Sequence, residues 1–468
     1  MNTGKLYDLF VIGGGPAGYT AAIYAAKNGL RVGLCERHKL GGTCLNYGCI
    51  PTKIYSSSAE LLMKMRDASN FGIKTTDSNP RIEFLRLFER KETIVSKQID
   101  GIKQLISGNK IDYFEGNAMI ESANRVVIYS ENSSKMELVN FSNLLIATGS
   151  EPSSVGGMDI DHKYVLDSTD VLSLKELPSE VLIVGGGVIG VEFAMILSVF
   201  GVKVYLVEIL KRIIATEDIM ASRIVHNRLK SLGVDINTDV TIGELKIENE
   251  KVNVTLNNKK TFVVDKVLVA TGRRAVVNVS EYLRSILLNE KGFVVVNENL
   301  RTKVKNIYAA GDVVGGTMLA HKAHYDGEIA VDNILGREKK ADYCAVPSVI
   351  YTHPEVASSG ISEEKAREKG MEVKIGRFFV GSNGMAMAKN AVDGFVKIIA
   401  EKGTGRIIGG TVVSDSASEM ITALTLAIKE KMTYENVHDL IWPHPTISES
   451  IGEAMRDIEG MAIHKVSI

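Results

Sequence analysis

The chain has 468 residues, of which 45% are hydrophobic and 24% charged, with a formal net charge of −1 at pH 7. This length exceeds what one hydrophobic core supports and predicts roughly two to four domains. The balanced charge argues against nucleic acid as a partner, because binding to phosphates requires a basic surface. Four cysteines are too few for a disulfide-rich secreted protein, so we expect a cytoplasmic location.

The start of the chain and its most apolar stretch bear on membrane targeting. Residues 1–7 show no charged segment followed by a long apolar run, which predicts no signal peptide. The stretch from 181 to 201, VLIVGGGVIGVEFAMILSVFG, is apolar enough to resemble a membrane span. Because it contains three adjacent glycines and Glu192 at its centre, we expect a buried strand, a turn and a helix there instead.

Two similar segments organise the first half of the chain. Residues 7–36 and 179–208 align without a gap, and each predicts a strand, a GxGxxG turn, a helix, a second strand and a terminal glutamate. Each segment is followed later by an apolar strand that ends in Ala-Thr-Gly, at 147–149 and 270–272. The fingerprint glycines are Gly13, Gly15, Gly18, Gly185, Gly187 and Gly190, and the terminal glutamates are Glu36 and Glu208.

The glycine pattern has a physical reason. The first glycine permits a tight turn, the second admits a pyrophosphate to the backbone, and the third lets helix and strand pack closely. The phosphate then lies at the helix N-terminus, and the glutamate accepts hydrogen bonds from ribose hydroxyls. One such motif can arise for steric reasons alone. Two motifs with the acid at the same offset predict two dinucleotide-binding domains.

Glu208 bears on which nucleotide the second site prefers. Its carboxylate would repel a ribose 2′-phosphate, which favours NAD over NADP. Lys211 and Arg212 follow closely and leave two interpretations open. Either side chain could reach such a phosphate, or both are solvated surface cations, which we favour.

The remaining chain changes its pattern twice. Residues 276–345 contain NIYAAGDVVGG, a strand that runs into a glycine-rich turn. From residue 346 onward, short alternating strands precede helices, which predicts a separate α+β domain. We therefore expect a first nucleotide domain in residues 1–150, a second in 151–275, a return to the first in 276–345, and a last domain in 346–468.

Cys44 and Cys49 stand close together in GGTCLNYGCIPTK, shortly after the first glycine motif. A zinc site would need four ligands, and only His38 is nearby, so we expect no metal. A structural disulfide would be unusual in the cytoplasm, and two simply buried thiols are the remaining alternative. We favour a redox-active disulfide beside a flavin in the first nucleotide site. Glycines flank the pair, and an opening helix would lower a thiol pKa.

The string WPHPTISES contains His444 and Glu449. Exchange between a dithiol and a disulfide needs a base near neutral pH, and a carboxylate on the other ring nitrogen fixes the histidine tautomer. The same spacing also predicts a helix capping box, in which Glu449 reaches back to the N–H of Thr446. Spacing alone favours the capping box.

Several motifs together connect the chain to a known family. They are GGGPAGY, GGTCLNYGCIPTK, GGGVIGVEFA, AAGDVVGG followed by MLAHKAHYDGE, YTHPEVA and HPTISE. With them the chain resembles the class I pyridine-nucleotide disulfide oxidoreductases from residue 7 to its C-terminus. The resemblance implies an α/β fold with two Rossmann-like dinucleotide-binding domains, for FAD and NAD, and a C-terminal α+β dimerisation domain.

The resemblance also implies roles for single residues. Cys49 becomes the thiol against the flavin and Cys44 the thiol that exchanges with substrate. Lys53 lies near the flavin ring with Glu192 as its ion-pair partner; from spacing alone we would read both as ordinary helix residues. The implied FAD contacts are Gly13, Gly15, Gly18, Glu36, Lys53, Gly116, Thr148, Gly149, Asp312 and Ala320, and the implied NAD contacts are Gly185, Gly187, Gly190, Glu208 and Gly272.

The resemblance further implies that His444 and Glu449 form an acid–base pair that acts on the disulfide of a second copy, so that the enzyme is a homodimer. The expected reaction is oxidation of protein-bound dihydrolipoamide with reduction of NAD⁺. The expected partner is the lipoyl-bearing protein of a 2-oxoacid dehydrogenase or glycine-cleavage complex. Two alternatives stay open: an NADH-dependent reductase of another small or protein disulfide, and a flavin-loaded docking subunit.

Overall fold

The computed structural model describes residues 6–77, 79–130, 136–154 and 158–466. The extreme start of the chain, where the sequence predicts no signal peptide, lies mostly outside these residues. In the first third the elements are β1 (Leu6–Ile12), α1 (Pro16–Lys27), β2 (Val32–Glu36), α2 (Gly42–Tyr47), α3 (Cys49–Arg66), α4 (Phe84–Gly108), β3 (Asp112–Glu115), β4 (Asn117–Ser122), β5 (Arg125–Tyr129), β6 (Met136–Ile146) and β7 (Ser150–Pro152).

The rest of the chain continues in the same order. In the middle third the elements are β8 (Val165–Leu166), α5 (Ser168–Ser173), β9 (Glu180–Val184), α6 (Val188–Val199), β10 (Lys203–Glu208), α7 (Ile219–Ser231), β11 (Asp235–Thr238), β12 (Ile242–Glu248), β13 (Lys251–Leu256), β14 (Thr261–Val264), β15 (Lys266–Val269) and β16 (Arg273–Ala275). In the last part they are α8 (Glu281–Leu287), β17 (Ile307–Ala309), α9 (Ala320–Ile334), β18 (Ser348–Ile350), β19 (Glu355–Gly360), α10 (Glu363–Glu368), β20 (Val373–Phe379), α11 (Gly384–Ala388), β21 (Phe395–Glu401), β22 (Ile407–Ser414), α12 (Ala417–Lys429), α13 (Tyr434–His438) and α14 (Glu449–Asp457).

The first sheet has the order β3-β2-β1-β6-β5-β4. Strand β1 lies between β2 and β6 and is parallel to both, whereas β5 and β4 continue the sheet in antiparallel pairing. Strand β17 comes from much later in the chain and also pairs with β6 in parallel. The carboxyl ends of β1, β2 and β6 therefore meet at one edge, which is where doubly wound sheets bind ligands.

The second sheet repeats this arrangement with the order β11-β10-β9-β15-β8, in which every pairing is parallel. Strand β9 and helix α6 are the strand and helix expected between residues 181 and 201. No helix in the described parts of the chain is long and apolar enough to cross a membrane. The two similar sequence segments thus form two similar strand–turn–helix units.

The C-terminal part is built differently. Its sheet, β18-β19-β22-β21-β20, is antiparallel throughout, and α12 and α14 pack on it. Strands β21 and β22 are buried along almost their whole length. The mixed α/β architecture expected from the sequence, with two nucleotide-type sheets and a terminal α+β unit, is confirmed.

One buried apolar cluster decides how these parts meet. It joins Ile54 and Tyr55 of α3 to the apolar residues of α6, and it reaches Ile350 at the end of β18. Helix α3 begins at Cys49, so this cluster anchors the cysteine-bearing helix to the second nucleotide unit and to the C-terminal sheet. The same packing brings Lys53 of α3, Glu192 of α6 and Tyr351 after β18 together.

Candidate active site

The two GxGxxG turns have nearly the same geometry. Gly13 and Gly185 have φ values of +103° and +109°, a region that disfavours any side chain. A Cβ added to Gly18 would lie 1.7 Å from the carbonyl oxygen of Gly13, and one added to Gly190 would lie 1.8 Å from that of Gly185. The first and third glycines are therefore required by the protein itself.

The middle glycines of the two turns differ from the others. A Cβ on Gly15 would meet nothing closer than 3.7 Å, and one on Gly187 would have no neighbour within 4 Å. Neither helix that follows has a side-chain cap, so its first N–H groups are open to an acceptor. Both turns fit a bound pyrophosphate, which needs a close approach to the backbone and free N–H groups.

The two terminal glutamates also occupy matching positions. Glu36 accepts hydrogen bonds from the N–H groups of Gly14 at 2.6 Å and His38 at 2.8 Å. Glu208 accepts from Gly186 at 2.6 Å and Leu210 at 2.7 Å. Each carboxylate thus holds its glycine turn in place and keeps lone pairs free for ribose hydroxyls.

The sequence leaves two interpretations for Lys211 and Arg212, and the structure shows specific contacts for Arg212. Its guanidinium donates to the main-chain carbonyls of Ala215 at 2.7 Å and Glu217 at 2.8 Å. Lys211 is exposed. The contacts of Arg212 give it a role in the loop before α7 that involves no phosphate.

We expect Gly190→Ala to destabilise the protein by about 1–3 kcal/mol, because the new methyl group overlaps the Gly185 carbonyl. The matched control is Gly187→Ala, whose methyl group has room. This control should melt like the unmodified protein but bind NADH more weakly. Thermal melting and NADH titration test both variants; equal melting temperatures for the two would contradict the geometry.

The cysteine pair is carried by a helix pair that packs on the first glycine turn. The sequence predicts one opening helix across both cysteines, but the structure breaks it at Gly48. Cys44 lies in the short helix α2 and Cys49 is the first residue of α3. Gly42 allows this approach, because a Cβ there would lie 2.6 Å from Cα of Gly15.

Cys44 and Cys49 are two thiols in hydrogen-bond contact, and their acidities differ. The hydrogen bond with Cys44 lowers the pKa of Cys49 to about 7, with a further lowering by the Lys53 charge, whereas burial and Glu192 act in the opposite direction. The same hydrogen bond and burial raise the pKa of Cys44. The pair therefore carries its first negative charge on Cys49, and the thiol hydrogen on Cys44.

Lys53 and Glu192 form the ion pair that the resemblance implies. The Lys53 ammonium donates to both oxygens of Glu192, at 2.8 and 3.0 Å. Glu192 is 5% exposed and also accepts from the N–H of Tyr351 at 2.9 Å. Lys53 lies one helical turn from Cys49 on α3, and both charges of the ion pair act on the pKa of Cys49.

Asp312 lies in a second polar cluster that the sequence did not reveal. The hydroxyl of Ser150 donates to Asp312 at 2.5 Å, and Nε of Arg273 donates to Ser150 Oγ at 2.7 Å. Arg273 also reaches Thr43 Oγ1 at 3.5 Å in the cysteine-bearing segment. Arg273, the first residue of β16, thus lies 4.0 Å from the Asp312 carboxylate and also contacts α2, which carries Cys44.

The other predicted nucleotide contacts lie in turns and at a helix start. Gly149 has a φ of +70°, and the Thr148 hydroxyl donates to the Val276 carbonyl. Gly116 donates its N–H to the carbonyl oxygen of Glu36 at 3.0 Å. The remaining predicted positions are Ala320, the first residue of α9, and Gly272, whose carbonyl accepts from Ser153.

We expect Arg273→Met to weaken FAD retention by about tenfold, since the variant removes the charged donor that orders Ser150 beside Asp312. Arg274→Met is the matched control, because Arg274 is exposed and pairs only with Glu151 among the described residues. Flavin fluorescence of the released cofactor measures the effect. Equal retention in both variants would mean that Arg273 does not support this site.

His444 and Glu449 are hydrogen bonded, and both interpretations of their spacing are present. Nδ1 of His444 lies 2.9 Å from Oε1 of Glu449, while Oε2 accepts the N–H of Thr446, also at 2.9 Å. Only half of a capping box forms, since the Thr446 hydroxyl donates to the Pro443 carbonyl. Although burial opposes it, these donors keep the pKa of Glu449 below its ordinary value, so the carboxylate stays charged.

The structure does not bring His444 to the cysteines within one chain. Its side chain is 81% exposed, and in the described residues no hydrogen bond or ion pair connects it or Glu449 to Cys44 or Cys49. Glu449 holds Nδ1 of His444, and most of the histidine side chain faces solvent.

The first glycine turn fits a dinucleotide and packs against Gly42 of the cysteine-bearing segment. The fold and this site place the chain among the flavin-linked disulfide oxidoreductases. Sequence comparison agrees: a family model described as pyridine nucleotide-disulphide oxidoreductase matches residues 7–327, and one for its dimerisation domain matches 346–455. The chain belongs to the pyridine nucleotide-disulphide oxidoreductase family, whose members use FAD and NAD.

Similar proteins cover almost the whole chain. Dihydrolipoyl dehydrogenase of Bacillus subtilis is 38% identical, over 98% of this chain and 99% of its own length. The enzyme of the same name from Chlamydia muridarum is 37% identical, over 96% of each chain. Among solved structures, LpdA of Mycobacterium tuberculosis superposes with a TM-score of 0.89 at 26% identity, covering 96% of this chain and 99% of that one. The HOCl-induced flavoprotein disulfide reductase RclA of Escherichia coli has a TM-score of 0.84 at 29% identity, with the same coverage.

Proposed function

We propose that the protein oxidises protein-bound dihydrolipoamide to lipoamide and reduces NAD⁺ to NADH. The observation that carries the proposal is the pair Cys44 and Cys49, whose thiols differ in pKa. The pair lies beside a glycine turn that fits a dinucleotide. The name dihydrolipoyl dehydrogenase, shared by relatives that match nearly the full chain, supports the same activity.

The chemistry assigned to the cysteines balances over two exchange steps. A substrate thiolate attacks the sulfur of Cys44 in the oxidised pair, the Cys44–Cys49 bond breaks, and Cys49 leaves as a thiolate. The second substrate thiolate then closes the lipoamide disulfide and displaces Cys44, which takes up a proton. The low pKa of Cys49 makes it the better leaving group of the two.

The remaining residues hold charges and protons. His444 removes the substrate thiol protons at Nε2 and returns one to Cys44, while Glu449 keeps Nδ1 hydrogen bonded. Lys53 and Glu192 set the charge beside Cys49. FAD, when held by Glu36, Asp312 and the first glycine turn, supplies the two-electron link between the thiols and NAD⁺. The net reaction converts a dithiol and NAD⁺ into a disulfide, NADH and a proton.

The active enzyme in this proposal is a homodimer. A dimerisation-domain match over residues 346–455 supports association of two copies, and the exposed His444 lies within that segment. Each copy would supply its histidine to the cysteines of the other. The segment from 346 to 468 would then form the interface, and residues 1–345 would carry both nucleotides.

The proposed partner is a lipoyl-bearing protein of a 2-oxoacid dehydrogenase or glycine-cleavage complex, and the proposed location is the cytoplasm. The relatives' shared name supports the lipoyl substrate. The chain has four cysteines, too few for a disulfide-rich secreted protein, and this supports the cytoplasmic location.

A substrate panel tests the proposal. The purified protein with FAD should oxidise dihydrolipoamide with NAD⁺ at a far higher kcat/KM than it reduces glutathione disulfide or coenzyme A disulfide with NADH. NADPH should replace NADH poorly, because the Glu208 carboxylate would repel a ribose 2′-phosphate. A preference for another disulfide would instead support the general disulfide reductase, and loss of all turnover in the isolated dimer would support a docking subunit.

A further inference from the structure

The aromatic ring of Tyr351 lies against the ion pair beside the cysteines. The Lys53 Nζ atom is 4.1 Å from the centroid of this ring. The same residue donates its main-chain N–H to Oε1 of Glu192 at 2.9 Å. Tyr351 therefore contacts both members of the pair, one through its ring and the other through its backbone.

We propose that Tyr351 is a positioning residue of the redox site, whose ring holds the Lys53 ammonium against Glu192 and beside Cys49. This inference rests on the proposed function and deepens it, because it assigns a role to Tyr351, a residue of the YTHPEVA motif for which the sequence predicts none. Tyr351 itself exchanges no proton or electron in the proposal.

The geometry explains why the Lys53 ammonium needs a second contact besides Glu192. A lysine side chain has several rotatable bonds and a strongly hydrated charge, so one carboxylate holds it loosely where water can enter. The Lys53 side chain is 30% exposed, whereas that of Glu192 is only 6% exposed. An aromatic face offers the ammonium a second contact without competing for the carboxylate oxygens.

Three separate parts of the chain have to pack correctly for this contact to exist. Lys53 lies on α3, Glu192 on α6, and Tyr351 directly after β18 of the C-terminal sheet. The buried cluster that joins α3, α6 and Ile350 fixes these elements relative to one another. The position of the ring is therefore set by rigid elements on both sides.

The place of Lys53 matters because its charge acts on Cys49. The ammonium lowers the pKa of Cys49 and the Glu192 carboxylate raises it, so a displaced ammonium would leave the carboxylate effect uncompensated. Other charged or titratable groups near this ring and these thiols are Cys44, Arg273, Glu355, Glu419 and Asp312. Apart from Cys44, which is replaced in every sample alike, none of them is changed in the variants below.

The test titrates Cys49 alone, in the FAD-bound protein with Cys44→Ser in every sample. Thiolate absorbance and the rate of alkylation by iodoacetamide are followed against pH. Tyr351→Leu should raise the titration midpoint by about half to one pH unit, and Tyr351→Met should do the same. Tyr351→Phe should restore the original midpoint, because it keeps the aromatic face. In the described residues the Tyr351 hydroxyl makes no hydrogen bond.

A double-variant comparison decides whether the ring acts through Lys53. Lys53→Met should raise the midpoint by at least as much as Tyr351→Leu, and adding Tyr351→Leu to it should raise it no further. Equal shifts with and without Lys53, or a Tyr351→Leu midpoint that does not move, would overturn the proposal. Activity with dihydrolipoamide is not needed, so failure here is distinct from failure of the proposed function.

Discussion

Replacement of His444 by glutamine is expected to lower the rate of dihydrolipoamide oxidation by about a hundredfold to ten-thousandfold. Glutamine can keep a hydrogen bond to Glu449 but cannot take a proton from the substrate thiol. Stopped-flow and steady-state rates of NADH formation measure the loss. Flavin content and the oxidation of NADH by ferricyanide should persist, because neither needs a proton transfer to or from the lipoyl sulfur.

His438 provides a matched control for this variant. It is also an exposed histidine whose Nδ1 lies 3.0 Å from a carboxylate, that of Asp439. His438→Gln should therefore reproduce any general effect of losing a surface histidine–carboxylate pair. A similar loss of activity in both variants would remove His444 from its catalytic role.

Replacement of Cys44 by serine is expected to abolish dihydrolipoamide oxidation, by more than roughly a thousandfold, because no disulfide can then form with Cys49. FAD should stay bound, since Glu36, Asp312 and the glycine turn are unchanged. Cys344→Ser is the control, because Cys344 is an exposed cysteine outside this site. Retained activity in the Cys44 variant would end its assignment as the exchanging thiol.

Mixed dimers connect these two predictions. When chains carrying His444→Gln and Cys44→Ser are co-expressed with different tags, a mixed dimer holds one complete set of groups. That set has the cysteines of one chain and the histidine of the other. It should recover about half the activity of the unmodified dimer. If each chain used its own histidine, no mixed dimer would recover activity.

Much of the nucleotide machinery could be predicted from the sequence. The paired GxGxxG turns and the glutamates at the same offset predicted two similar units, and Gly18 and Gly190 make equivalent contacts in them. These features depend on residues that are close in the chain, so the spacing of the motif residues is enough to predict them. The spacing of His444 and Glu449 also predicted their contact. It could not show that the Glu449 carboxylate is hydrogen bonded to both the imidazole and the Thr446 N–H.

Other parts of the site were not visible in any local pattern. Lys53 and Glu192 would have been assigned to ordinary helix positions without the family resemblance, because they are 139 residues apart. Ser150, Arg273 and Tyr351 were missed. A local signal existed for the first two, since each directly follows the glycine of an Ala-Thr-Gly motif. Tyr351 begins the YTHPEVA motif, but nothing in that string indicates that its ring covers the Lys53 ammonium.

The sequence by itself determined the two dinucleotide turns, the cysteine pair and the α/β class, because turn geometry and strand–helix periodicity are properties of neighbouring residues. Only the tertiary structure decided which charges surround Cys49 and Asp312, and that His444 stays apart from the cysteines of its own chain. Those contacts depend on how α3, α6 and the C-terminal sheet pack around a shared apolar cluster. Packing joins distant segments by shape and burial, and that information is not carried by the spacing of any one motif.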